Sequence, residues 1–188
     1  IARHPVTVAQ FQAFVNHSGY QPAGNDWASD TAAADYPVVD VTWHDALQYC
    51  RWQAAQSGLP VTLPSEAEWE KAARGTDGRV YPWGSYPPTT AMCGFQRGRV
   101  GAYSPQGDSV YGCSDMAGNV WEWTRSAYRP YPYRPDRGQE DIVLSQPRVV
   151  RGVTYGDMTR YARCACRYNL KQNTRLLTLG FRVVVTPH

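Results

Sequence analysis

Leu63-Pro64-Ser65-Glu66-Ala67-Glu68-Trp69-Glu70 reads as the opening of a helix, and the rest of the chain can be placed around it. Ser65 is the cap, Glu68 closes a capping box, and acids occupy the first turn, where the helix dipole favours them. Trp69, Ala72 and Ala73 form the apolar side, and Gly75 ends the segment. Working backwards, Thr42 with Asp45 gives a second start. Ala46, Leu47, Cys50, Ala54 and Ala55 continue it as an amphipathic stripe that Gly58 stops. Thr7 caps a third helix over residues 8–16, with Val8, Phe11, Phe14 and Val15 on one face and Gly19 beyond its end. Working forwards, helical signals vanish after Gly75. Turn residues punctuate the chain as far as Pro147, broken by short apolar runs such as Val120-Trp121-Glu122-Trp123. Two strands are then expected, at residues 148–154 and 181–185, bracketing an irregular Arg-rich stretch. An irregular insertion of that length is usually functional or disordered, and its regularly placed arginines argue for order.

Composition narrows the class. Apolar residues make up 43% and charged residues 19%, and no apolar run approaches the roughly 20 residues of a spanning helix, which excludes a disordered chain and a helical membrane protein. Seven Trp and 13 Tyr beside 16 Gly and 14 Pro point to a loop-rich fold pinned by large side chains, not to a helical bundle. Of the 19 basic residues all but Lys71 and Lys171 are Arg. Residues 148–182 hold eight of them against one acid, Asp157, while residues 1–147 are net acidic. A basic segment can mean nucleic acid. Arg set among small and aromatic residues is instead read as the side chain that ties loops together by forked hydrogen bonds, so no nucleic-acid partner is expected. Cys50, Cys93, Cys113, Cys164 and Cys166 are odd in number and show no zinc spacing.

Several blocks together resemble one family. Pro37-Val38-Val39-Asp40-Val41-Thr42-Trp43 precedes the second helix, the block from Leu63 opens the third, and Tyr81-Pro82-Trp83-Gly84 follows. Gly112-Cys113-Ser114-Asp115-Met116-Ala117-Gly118-Asn119-Val120-Trp121-Glu122-Trp123-Thr124, Val150-Arg151-Gly152 and Leu179-Gly180-Phe181-Arg182-Val183 complete the set. In this order they resemble the formylglycine-generating-enzyme (sulfatase-modifying factor) family, a variant of the C-type lectin fold. The resemblance implies an α+β fold, a few helices around a small twisted antiparallel sheet with extensive ordered loops, in one domain over 1–188.

Function within that family divides by its C-terminal segment. The oxidases use two cysteines upstream of an Arg-Cys-Ala segment to bind copper, a soft metal that thiolates suit. Here that segment is Arg163-Cys164-Ala165, and no Cys lies between Cys113 and Cys164. Neither copper nor iron is expected, and the chain is read as no enzyme; the alternative is an oxidoreductase of the family with an altered active site. The segment is more similar to the variable proteins of diversity-generating retroelements, whose Arg/Gly/Ala framework stays fixed while adenine-directed mutagenesis varies the positions between. Arg151-Gly152, Arg160, Arg163-Cys164-Ala165, Arg167, Arg175 and Gly180-Phe181-Arg182 match that framework without a gap. Val153-Thr154-Tyr155 departs from it, and Met158 and Lys171 are not reachable from Asn codons by adenine changes alone.

The resemblance thus implies a variable ligand-binding region at 151–182. Its binding face would be Tyr155, Gly156, Asp157, Tyr161, Cys166, Tyr168, Leu170, Thr174, Leu176, Leu177 and Thr178, with Asn169 and Asn173 as unchanged template residues. Tyr gives rigid amphipathic contact and small polar residues give adaptable hydrogen bonds, as in antibody paratopes. The expected partner is a protein or cell-surface ligand engaged through residues 155–178. The competing reading sends Leu176 and Leu177 into the core and packs Tyr161 and Tyr168 on Arg. The resemblance also implies Ca2+ in the loop at 115–122, with carboxylates from Asp115 and Glu122 and carbonyls from Gly118 and Val120. Against it stands a loop held closed by Glu122 on a buried Arg. Trp121 and Trp123, which share a face if extended, are read as core, as are Trp69 and Trp83.

Overall fold

Each of the three long helices starts at its predicted cap. The computed structural model describes residues 1–24, 27, 33–94, 96–143, 145–153 and 158–186. Helix α1 (Val8–Ser18) opens on a reciprocal bond between Thr7 and Gln10, α2 (Trp43–Ser57) on Thr42 with Asp45, and α3 (Glu66–Arg74) on Ser65 with Glu68. Each box satisfies two N–H groups that a bare helix end would leave without partners. A fourth short helix, α4 (Met158–Tyr161), lies in the Arg-rich segment.

The sheet is where the structure departs from the sequence reading. Its centre is β2 (Trp121–Ala127), which the sequence marked only as a short apolar run. Five of its seven residues are buried and none is exposed; the polar positions Glu122, Thr124 and Ser126 are buried as fully as Trp123 and Ala127, so the polar side of the strand faces protein and not solvent. With β3 (Arg148–Arg151), β4 (Tyr168–Leu170) and β5 (Leu179–Phe181) it forms a four-stranded sheet in the order β4-β3-β2-β5. Two of the pairings are antiparallel, while β2 and β5 run parallel, Glu122 opposite Gly180. The strand expected over 148–154 stops at Arg151. Gly152 follows at φ +85°, and a Cβ there would stand 2.9 Å from the Val120 carbonyl oxygen, so only Gly fits beside β2. The strand expected over 181–185 is two strands in two sheets. After β5 the chain turns at buried Arg182 and enters β6 (Val184–Val185), which pairs with β1 (Val61–Thr62).

Aromatic packing joins helices to sheet. Phe11, Phe14, Tyr49 and Phe181 meet edge to face, with Phe11 and Phe181 centroids 6.3 Å apart. Trp43 donates its indole N–H to the Thr124 carbonyl at 2.9 Å, and Trp123 donates to the Val41 carbonyl at 3.1 Å, so each ring is buried with its one polar atom satisfied. The Arg148 guanidinium lies 4.2 Å from the Trp43 ring centroid. Trp69 and Trp123 are core, as expected; Trp83 is only half-buried, stacked on Tyr81.

Candidate functional site

Buried ion pairs fix the C-terminal segment. Arg151, with no exposed surface, reaches Glu66 at 3.1 Å, Glu70 at 2.7 Å and the Cys164 carbonyl. Arg167 reaches Glu66 at 2.7 Å and the Arg129 carbonyl at 3.0 Å, between the rings of Tyr128 and Tyr131. The Pro-rich loop at 128–135 is therefore packed by its own Tyr rings, on an arginine. Arg175 lies 3.4 Å from Asp40 across Gly24, where a Cβ would overlap the guanidinium. Arg182 grips both carboxylate oxygens of Glu122 at 2.7 Å and also donates to the carbonyls of Ala2, Arg3 and Ser114. Arg160 stacks on Tyr161, and both Arg160 and Arg163 are exposed.

What these pairs hold up is an open basin of about 440 Å³ lined by Trp121, Val150, Tyr161, Tyr168, Leu170, Leu176 and Thr178. Strand β4 supplies Tyr168 and Leu170, two residues apart and so on one face, with Val150 of β3 opposite Tyr168. Trp121 lies 6.4 Å from Tyr168 between ring centroids, and its backbone N–H donates to the Thr178 carbonyl at 2.8 Å. The Leu176 carbonyl accepts from Asp40 and Leu179, which fixes the loop against the core. Tyr161 is 39% exposed, Tyr168 57%, Leu176 42% and Leu177 65%, so neither leucine completes the core.

Of the residues expected on the binding face, Tyr161, Tyr168, Leu170, Leu176 and Thr178 come together in this basin. Leu177 is exposed outside its lining, and Cys166 and Thr174 are half-buried elsewhere on the segment. Tyr155, Gly156 and Asp157 lie outside the described residues. Sequence reasoning missed Trp121 and Val150. Trp121 was assigned to the core with Trp123; it is half-buried, one side packed and the other open to the basin. Its place at the end of β2, next to the glycine-bounded loop, was the available signal.

The residues expected to bind calcium do not fit that ion. Glu122 has no exposed surface, and both its oxygens are committed to Arg182, one of them also accepting the Trp69 indole N–H at 2.8 Å. Arg182 already supplies the positive charge that a cation would bring. Asp115 accepts the Gly101 N–H at 2.7 Å, and burial pushes its carboxyl above the ordinary value, against the ionised form. The Gly118 carbonyl accepts from Val120. No group of three or more His, Cys, Asp or Glu residues able to hold a metal occurs among the described residues. The loop is closed by Glu122 on a buried arginine. EDTA is therefore expected to leave the melting temperature of the calcium-equilibrated protein unchanged in differential scanning calorimetry; a fall of several degrees, reversed by added calcium, would reinstate the ion.

Burial pushes the Cys164 thiol up to about 12 and raises that of Cys166.

A small mixed sheet flanked by helices, with a long C-terminal loop segment fastened across its edge, defines a C-type-lectin-type domain. The chain belongs to the sulfatase-modifying factor family: the sulfatase-modifying factor enzyme 1-like domain matches residues 1–187. It is 36% identical over 183 residues to the inactive C-alpha-formylglycine-generating enzyme 2 of Bos taurus, covering 86% of this chain and 54% of that protein. It is 34% identical over 171 residues to the hercynine oxygenase of Mycolicibacterium thermoresistibile, covering 70% of this chain and 36% of that one. The chain thus spans about half, or less, of the length of these curated relatives. In fold it is similar to Treponema denticola variable protein 1, with a TM-score of 0.67 at 22% identity over 97% of this chain and 82% of that one. No helix among the described residues is long and apolar enough to cross a membrane.

Proposed function

We propose that this chain is a non-catalytic ligand-binding domain, the variable protein of a diversity-generating retroelement, which presents a diversified surface on a C-type lectin fold. One observation carries the reading. Five of the eleven positions assigned to variation line one open basin, while four of the six arginines assigned to the framework, Arg151, Arg167, Arg175 and Arg182, are taken up in ion pairs. A division between a fixed, internally satisfied scaffold and an exposed aromatic and aliphatic surface is what a tolerant binding site needs. The partner is a protein or cell-surface ligand, engaged through residues 155–178. Residues 158–186 contain no acid, and Arg160, Arg163 and Lys171 are exposed, so an acidic rim on the partner suits this face.

The second reading, a family oxidoreductase with a rewired site, has the identity to a hercynine oxygenase in its favour. It requires stoichiometric copper or iron uptake and oxygen consumption with a thiol substrate. Sequencing the DNA flanking the gene separates the two. The binding reading expects a near-identical repeat of the segment coding for residues 151–182, with adenines at the codons of Tyr161, Tyr168, Leu170, Leu176 and Thr178, beside a reverse transcriptase gene. A source genome with no such repeat would remove the retroelement from the reading.

A further inference from the structure

A second cavity lies away from the basin, in the loop between β2 and β3. It measures about 310 Å³ and is lined by Arg129, Arg134 and Arg137, with Pro130, Tyr131 and Pro132 as its wall. No acid lines it; Asp136, on the same turn, is outside the lining. Three like charges carried by residues that line one small space repel one another unless something negative lies between them.

The rest of the molecule shows how this protein treats its arginines when it has acceptors for them. Arg125, Arg151, Arg167 and Arg182 each reach a carboxylate within 3.1 Å. Several buried guanidinium Nε atoms lack an acceptor, but those of Arg74, Arg151 and Arg167 belong to groups whose terminal nitrogens are engaged. Arg129 differs. Its Nε is buried and without a hydrogen-bond partner. Its backbone, in contrast, is fixed, because the carbonyl takes the Arg167 bond, and Gln139 accepts the Arg134 N–H and holds the turn. The cavity thus gathers three arginines, two of them with a backbone group anchored, beside an apolar wall.

We propose that this cavity binds the tetrahedral oxyanion of a phosphate or sulfate ester. Guanidinium forks match the paired oxygens of such a group, and the Pro130, Tyr131 and Pro132 wall accommodates the carbon portion of the ester. The site is separate from the basin and independent of how residues 155–178 are used.

Isothermal titration of the intact chain with methyl phosphate and, in a second arm, methyl sulfate, at one fixed ionic strength, tests it. Saturable binding is expected for at least one ester, weakened about tenfold or more by the double variant Arg134→Gln/Arg137→Gln. Both residues are exposed, so the variant should melt with the parent. Tighter binding of methyl phosphate identifies a phosphate ester as the ligand class, and tighter binding of methyl sulfate a sulfate ester. No saturation by either, or equal affinity in the double variant, would overturn the site.

Discussion

Replacing Arg182 with Met is expected to cost roughly 3–5 kcal/mol and to lower the melting temperature by about 6–20 °C. The guanidinium has no exposed surface and its carboxylate partner Glu122 has none either, so removing it leaves a buried charge without compensation. An isolated buried pair can often be exchanged for two apolar residues at little cost. Here that exchange is expected to fail. Arg182 also serves the carbonyls of Ala2, Arg3 and Ser114, and Glu122 also accepts from Trp69, so Glu122→Met/Arg182→Met strands three acceptors and one donor. Arg182→Lys keeps the charge but loses the fork and should fall between parent and Met. Thermal denaturation of the three variants decides the matter: a double variant as stable as the parent would show that the carbonyl contacts contribute nothing.

That cluster also shows how the loop at 115–122 suggests a cation site when read from sequence alone. From sequence, Asp115 and Glu122 with Gly118 and Val120 make a plausible oxygen cage, because their spacing is visible and their partners are not. Arg182 lies 60 residues from Glu122 in the chain, and only folding brings it into the place a cation would take. The helices were legible for the opposite reason, since a capping box is completed within four residues. Strand β2 reads only as a short apolar run because Thr124, Arg125 and Ser126 are polar and the partners that bury them are remote in the chain, and the C-terminal strand reads as one because nothing local marks the change of sheet at Arg182. The basin stood between these cases. Tyr168, Leu170 and Leu176 could be nominated from a framework pattern, whereas Trp121 could not, because its open side exists only once β4 and the loop around Thr178 are laid beside β2.

Glu66 offers the second large effect, and it connects the scaffold to the binding face. The sequence assigns it to the helix dipole, as one of two acids in the first turn of α3. In the fold these two and Glu70, one turn on, have separate partners: Glu68 pairs with Arg125, Glu70 with Arg74 and Arg151, and Glu66, 1% exposed, with both Arg151 and Arg167. Tyr131 adds a hydroxyl donor at 3.3 Å. Replacing Glu66 with Leu removes one partner from two buried or half-buried guanidiniums at once, for an expected loss of roughly 3–5 kcal/mol, or about 6–20 °C in melting temperature. Glu66→Gln retains an acceptor oxygen but sets an amide N–H₂ against a guanidinium, so a smaller loss is expected. The loss should also be local. Arg151 holds the Cys164 carbonyl and Arg167 immediately precedes β4, so backbone amides between residues 160 and 170 should exchange faster in Glu66→Leu, while those of α1 and α2 slow or speed only with global stability. Hydrogen exchange read by mass spectrometry distinguishes the two patterns. If protection changes evenly over the whole chain, Glu66 is a stability residue like any other; if it collapses first at 160–170, this carboxylate is the fastener on which the basin wall depends.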